Sequence, residues 1–201
     1  MKLSRIKKAC MDEGVIRLYS VEAPGNAVFQ WLGTDGALYA VEGCELTLTT
    51  LMAIWEIDSK KAAHLDMVED TLRGAVERRL LTDRDADILA GAPAMIDSMS
   101  APPLVMAHIG CYWAMKFGES HVMFAPENSF APCIGKHIVA MDIHTDDATD
   151  EPAWIAVYAD EKLCGMVRPA SKIEAERLLE LVREVARREK AGRPWEDSWN
   201  G

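Results

Sequence analysis

No stretch of this chain stays apolar for the ~20 residues that a membrane-spanning helix needs, because charged or polar residues interrupt every candidate. A glycine-rich phosphate loop is missing, as are a Gly-x-Ser-x-Gly nucleophile elbow and a Cys-x-x-Cys pair. The basic opening Met1-Lys2-Leu3-Ser4-Arg5-Ile6-Lys7-Lys8 is followed by no apolar core and no small-residue cleavage site, so it does not read as a secretory signal. The five cysteines, Cys10, Cys44, Cys111, Cys133 and Cys164, are odd in number and widely scattered. That pattern excludes a disulfide framework and points to reduced thiols acting as small buried hydrophobes. The chain is expected to stay in the cytoplasm, with no membrane contact.

What is present is ordinary for a globular domain. The 201 residues are 49% apolar and 27% charged, enough for one well-filled core and too apolar for general disorder. The formal charge of −10 works against nonspecific nucleic-acid binding by the molecule as a whole, although it leaves room for a local basic surface.

Periodicity places the elements. Leu3, Ile6 and Cys10 recur at helical spacing, and Gly14 suits the end of that helix. Val15–Tyr19, Val28–Leu32 and Ala37–Val41 read as three strands joined by turns at Pro24-Gly25-Asn26 and Gly33-Thr34-Asp35-Gly36. Such short turns force antiparallel pairing. Thr47 or Thr49 caps a helix through Leu51, Ile54 and Trp55, and Ser59-Lys60-Lys61-Ala62-Ala63 adds further helical turns. Residues 65–90 carry a narrow helical pattern of Leu72, Val76 and Leu80, and 65–103 as a whole reads as a variable connector broken by Gly91-Ala92-Pro93 and Ala101-Pro102-Pro103. Leu104–Lys116 reads as one long strand, His121–Phe124 as its return and Lys136–His144 as a third strand. Trp154–Tyr158 and Leu163–Val167 then form a closing hairpin. Ser171-Lys172-Ile173-Glu174 is a capping box for a long last helix, whose apolar face is Ala175, Leu178, Leu179, Val182, Val185 and Ala186. The expected fold is therefore α+β: antiparallel β meanders packed with helices, ending in a long C-terminal helix. It is read as a single domain over 1–201 made of two similar halves, 1–64 and 104–192, with a tail at 193–201.

Several constellations could carry chemistry. His108 and Cys111 with Cys133 and His137 supply the ligand types of tetrahedral zinc. Positions 108 and 111, however, fall within one expected strand at an odd offset, which turns them to opposite faces. Buried structural side chains and no cofactor are the plainer account, with zinc the metal that set would take. Asp142 and His144 share a strand face, but the acidic turn that follows makes a solvated strand end the simpler reading. Asp83-Arg84-Asp85-Ala86-Asp87 lacks the Gly and Glu of a calcium loop. A thiol nucleophile at Cys111 or Cys133 has no support from its neighbours. Binding features are clearer. Lys2, Arg5 and Lys8 form one basic stripe, and Arg183, Arg187 and Lys190 form another that could lie along phosphates. Trp195 and Trp199 in the tail suit anchors for a protein partner.

Several stretches resemble a family of uncharacterised proteins carried by phages and prophages of clostridia-type bacteria. They are Arg5-Ile6-Lys7-Lys8-Ala9-Cys10, Gln30-Trp31-Leu32-Gly33, Tyr39-Ala40-Val41-Glu42-Gly43, Val122-Met123-Phe124-Ala125-Pro126-Glu127 and Ile155-Ala156-Val157-Tyr158-Ala159-Asp160. The resemblance implies a phage accessory role and no catalytic residues. The sequence thus points to a non-catalytic protein that binds protein or nucleic acid, clamp-like in replication or directed at host defence, and able to self-associate. The alternative is a metal-dependent or thiol enzyme built on His108, Cys111, Cys133 and His137.

Overall fold

The computed structural model describes residues 3–23, 27–41, 45–72, 104–117, 121–133, 140–145, 152–159 and 162–190. Helix α1 (Leu3–Glu13) buries Ile6 and Cys10 completely, and Gly14 at φ 71° lets the chain leave it. Strands β1 (Val15–Ala23), β2 (Ala27–Gly33) and β3 (Ala37–Val41) form the expected antiparallel meander. Helix α2 (Leu48–Trp55) is capped by Thr47, whose hydroxyl accepts the Thr50 N–H at 3.1 Å while the Thr50 hydroxyl accepts the Thr47 N–H at 2.7 Å. The short α3 (Ser59–Ala62) is capped by Asp58.

The first departure from the sequence pattern follows. The segment expected to open the connector begins with a strand, β4 (Asp66–Leu72), paired parallel with β1. Asp66, Glu69 and Thr71 are exposed and Met67 and Val68 half-buried, so the segment lacks the strong apolar alternation that announces a strand. Glu69 also accepts the Leu48 N–H at 2.9 Å, tying this strand to the start of α2.

The second departure concerns the apolar run from Leu104. It is two strands, β5 (Leu104–Ile109) and β6 (Tyr112–Phe117), folded back at Gly110-Cys111, with Gly110 at φ 60°. Strand β7 (His121–Pro126) pairs with β6 and leads into the four-residue α4 (Glu127–Phe130). Strands β8 (Ala140–Thr145), β9 (Pro152–Ala159) and β10 (Lys162–Val167) make a second meander, followed by α5 (Lys172–Lys190). Of the strand expected over Lys136–His144, the part from Ala140 is described as β8, and residues 136–139 lie outside the described set.

The two meanders fuse. Strand order in the large sheet is β4-β1-β2-β3-β10-β9-β8, while β5-β6-β7 form a separate three-stranded sheet. The join is the antiparallel pair β3–β10, with Ala37 opposite Val167, Leu38 opposite Met166 and Tyr39 opposite Gly165. Side-chain alternation buries both faces of the large sheet. On one face Ile16, Leu18, Leu32, Tyr39, Ile155 and Val157 meet α1, α2, α4 and the small sheet's Met115, Met123 and Ala125. On the other, Tyr19, Trp31, Leu38, Trp154, Tyr158 and Met166 form a second cluster. The small sheet's far face carries Ala114 and Phe124 against Leu178 of α5.

Two polar contacts fix the layers. Arg17 is almost wholly buried; its guanidinium reaches Asp35 at 2.6 and 3.1 Å, the Asp66 carboxylate at 2.6 Å and the Asp66 carbonyl at 2.9 Å. It thereby ties β1 to the β2–β3 turn and to the start of β4. Replacing it by Leu leaves two carboxylates without their cation, and should cost about 2–3 kcal/mol in urea unfolding, with Asp35→Asn costing less.

Helix α5 is held by a second contact. Ser171 accepts the Glu174 N–H at 3.3 Å, as a cap should. The expected return bond from Glu174 is replaced: its carboxylate accepts the Tyr112 hydroxyl of β6. That bond, then burial, pushes the Tyr112 pKa up to about 12. Because the neutral phenol is favoured in the folded state, its stabilisation is complete below about pH 10 and is lost as pH rises through about 12. Wild type should therefore exceed Tyr112→Phe in stability up to about pH 10, and the gap should close by about pH 12 in alkaline unfolding curves.

Candidate functional site

The His/Cys set divides when the chain folds. Because the run from Leu104 turns at Gly110-Cys111, the odd-offset argument against His108 and Cys111 does not hold: His108 is near the end of β5 and Cys111 is exposed in the turn. The His108 Nδ1 stands 3.7 Å from a carboxylate oxygen of Glu127, the first residue of α4. The Glu127 N–H in turn donates to the Cys111 carbonyl at 2.8 Å. Trp113, opposite His108 in the register, meets that imidazole edge-on at 6.0 Å and stacks on Phe130 at 5.0 Å. An exposed thiol, an imidazole and a carboxylate thus share the corner between the β5–β6 turn and α4.

Cys133 goes elsewhere. It is buried in the turn after α4, with its sulfur packed over Gly165 of β10, where a Cβ would collide with it. A hydrogen bond with Cys164, then burial, raises its pKa well above the ordinary thiol value. Cys164 also donates to the Val157 carbonyl at 3.2 Å. Tyr39 stands beside this pair, its hydroxyl donating to the Ser129 carbonyl at 2.7 Å and its pKa raised by burial. His137 and Cys44 lie outside the described residues. Among the described residues, no three His, Cys, Asp or Glu side chains converge on a point that would hold a metal ion. Asp142 and His144 occupy alternate positions on β8, in register with Ala156 and Trp154.

The basic stripes also change character. Arg5 stays exposed but donates to the Ala131 carbonyl at 3.0 Å, at the C-terminal end of α4. Its neighbour Lys7 donates to the Trp55 carbonyl at 2.5 Å, at the end of α2. Both cations sit where helix carbonyls lack intrahelical partners. Lys8 stays exposed, and Lys2 lies outside the described residues. On α5, Arg187 and Arg188 both bind Glu184, at 3.1 and 2.9 Å, and Arg183 is exposed. The two stripes rest on different layers, α1 against the large sheet and α5 on the outer side of the small one.

What α5 does present is apolar surface. Of the face expected to be buried, Leu178 is covered, whereas Val182 is 36% exposed; Leu181 and Ile173, on other sides, are 55% and 67% exposed. Sequence periodicity finds the stripe but not how much of it the small sheet is long enough to cover. The Trp113–Phe130 stack and the role of Glu127 were likewise missed, because both depend on the turn at Gly110. Trp195 and Trp199 lie outside the described residues. Among the described residues no helix is long and apolar enough to cross a membrane.

Compared with protein-family models, curated proteins and solved structures, the chain matches none.

The thiols should separate sharply in reactivity. Burial and the nearby Glu13 charge push Cys10 up to about 12, and its thiol donates to the Gly33 carbonyl at 3.3 Å. With iodoacetamide on the native protein at pH 8, peptide mapping should show Cys111 alkylated well ahead of Cys10 and Cys133, which become labelled only on unfolding.

Proposed function

We propose that the chain acts by binding a protein partner through the outward surface of α5, in a phage or prophage accessory role, and not by catalysis. The observation that carries this reading is the exposure of Leu181 and Ile173 on a 19-residue helix in which Leu178 is the one buried side chain among those described. A helix of that length extends about 28 Å, and helices in water draw most of their stability from covering an apolar face. Trp195 and Trp199, which follow α5 in sequence, add the residue type that most often anchors docking contacts. The resemblance to phage and prophage proteins supports reading that accessory role as one in replication or host defence.

Other readings have less behind them. A clamp-like grip on nucleic acid needs the basic stripes to share a surface, whereas α1 lies against the large sheet and α5 on the outer side of the small one, with Arg5 at a helix end and Arg187 paired with Glu184. The zinc reading needs Cys133 beside Cys111, whereas one is buried against Gly165 and the other is exposed in a turn. A thiol enzyme would rest on Cys111 with His108 and Glu127 alone, at an exposed corner.

A photo-cross-linking amino acid at position 181, with position 60 on α3 as control, tests the reading in bacterial cells. The expected result is one adduct from position 181, its partner peptide identified by mass spectrometry, and none from position 60. Equal adducts from both positions, or none from either, would overturn it.

A further inference from the structure

Ile173, Arg177, Leu181, Glu184 and Arg188 follow one another along α5 at spacings of four, four, three and four residues, and so form one stripe. It runs along the flank of the helix, beside the Leu178 contact with the small sheet, and includes the two most solvent-exposed large apolar side chains of α5. Glu184 is held at its edge by Arg187 and Arg188.

We infer that this stripe is the contact between two copies of the chain, laid antiparallel about a two-fold axis at Leu181. The inference rests on the reading of α5 as a docking helix and names its partner. The charge order selects a second copy. Arg177 lies four residues before Leu181, and Glu184 lies three after it. Turning the helix end for end about Leu181 sets Leu181 on its twin and brings Arg177 of each copy against Glu184 of the other, twice in the dimer. The same rotation lays Ile173 beside the aliphatic stem of Arg188. A parallel pairing would instead oppose Arg177 to Arg177 and Glu184 to Glu184, which repel. Such a contact is isologous, the same patch on both subunits, and therefore closes at two copies. One helix from each side makes a small interface, which belongs to the weak and reversible class.

Sedimentation of the full chain between about 1 and about 300 µM tests this. The expected result is a mass rising from one chain toward two, abolished by Leu181→Arg. Because Leu181 is exposed, that variant should keep the wild-type circular dichroism and melt within about 3 °C of it, which separates loss of assembly from loss of fold. In a Cys111→Ser background, Leu181→Cys should give a disulfide-linked dimer under mild air oxidation, whereas Arg183→Cys, about 120° from the stripe, should not. A wild type monomeric throughout the range, a dimer that survives Leu181→Arg, or equal cross-linking through position 183 would each overturn the proposal. A monomer whose position 181 cross-links in cells to a different protein would overturn the homodimer and leave the docking reading standing. A monomer with no adduct would overturn both.

Discussion

The pairing of β3 with β10 is the contact on which the rest of the structure depends, because it turns two separate meanders into one sheet. Three residue pairs carry it, and each faces a different demand. Ala37 opposite Val167 and Tyr39 opposite Gly165 look toward the core shared with α1 and the small sheet, while Leu38 opposite Met166 looks toward the second cluster. Tyr39 is large, so its cross-strand neighbour is the residue without a side chain, and the Cys133 sulfur occupies the space that a Cβ at 165 would take. The Tyr39 hydroxyl then reaches the Ser129 carbonyl and fixes the end of α4 over the same point. A break at this seam would expose both clusters at once, since each draws side chains from both meanders.

A second principle runs through the placement of charge. Several cations, Arg5 of the first basic stripe among them, contact the protein's own carboxylates and carbonyls. Arg17 joins β1, the β2–β3 turn and β4. Arg5 and Lys7 stand at the carbonyl ends of α4 and α2, so α1 serves as a strut between two helices besides covering the sheet. Arg17 is buried in its ion pairs while Arg5 and Lys7 are engaged at helix ends nearer the surface, and the chain as a whole carries a formal charge of −10. A net charge of that sign works against general attraction to phosphate backbones.

Much of the fold was legible because it is local. The β1–β3 meander, the β9–β10 hairpin, the Thr47 cap, the Gly14 stop and the Ser171 start each depend on a handful of neighbouring residues. What stayed hidden depends on distant ones. Asp66–Leu72 becomes a strand because β1 offers it an edge, which its own charged sequence does not announce. Leu104–Lys116 folds at Gly110 because β7 and α4 build a small sheet there, and the run of apolar residues on either side masks the turn. That error carried into chemistry, since the argument that His108 and Cys111 oppose one another assumed a continuous strand. The capping box at Ser171 was half right: the Glu174 backbone behaves as the motif predicts, but Tyr112 claims its carboxylate from 62 residues away in sequence.

The same balance of local pattern and distant partner decides how α5 should be understood. Its amphipathic pattern is continuous from Ala175 to Ala186, as a helix buried along its whole length would have. The small sheet that receives it offers Ala114 and Phe124, with Tyr112, Ile109 and the returning chain at Ala170 around them. Two strands of six residues are shorter than a helix of 19, so the sheet covers Leu178 and Leu179 and leaves the turns beyond them open on one side. The Tyr112–Glu174 bond and the Ala170–Phe124 bond both act at the near end of the helix, fixing its direction while adding nothing to its far half. A helix pinned at one end and amphipathic to the other presents a rigid surface at low entropic cost to whatever covers it. On α5 that surface bears opposite charges on either side of a central leucine, an order that reverses sign when the helix is turned end for end.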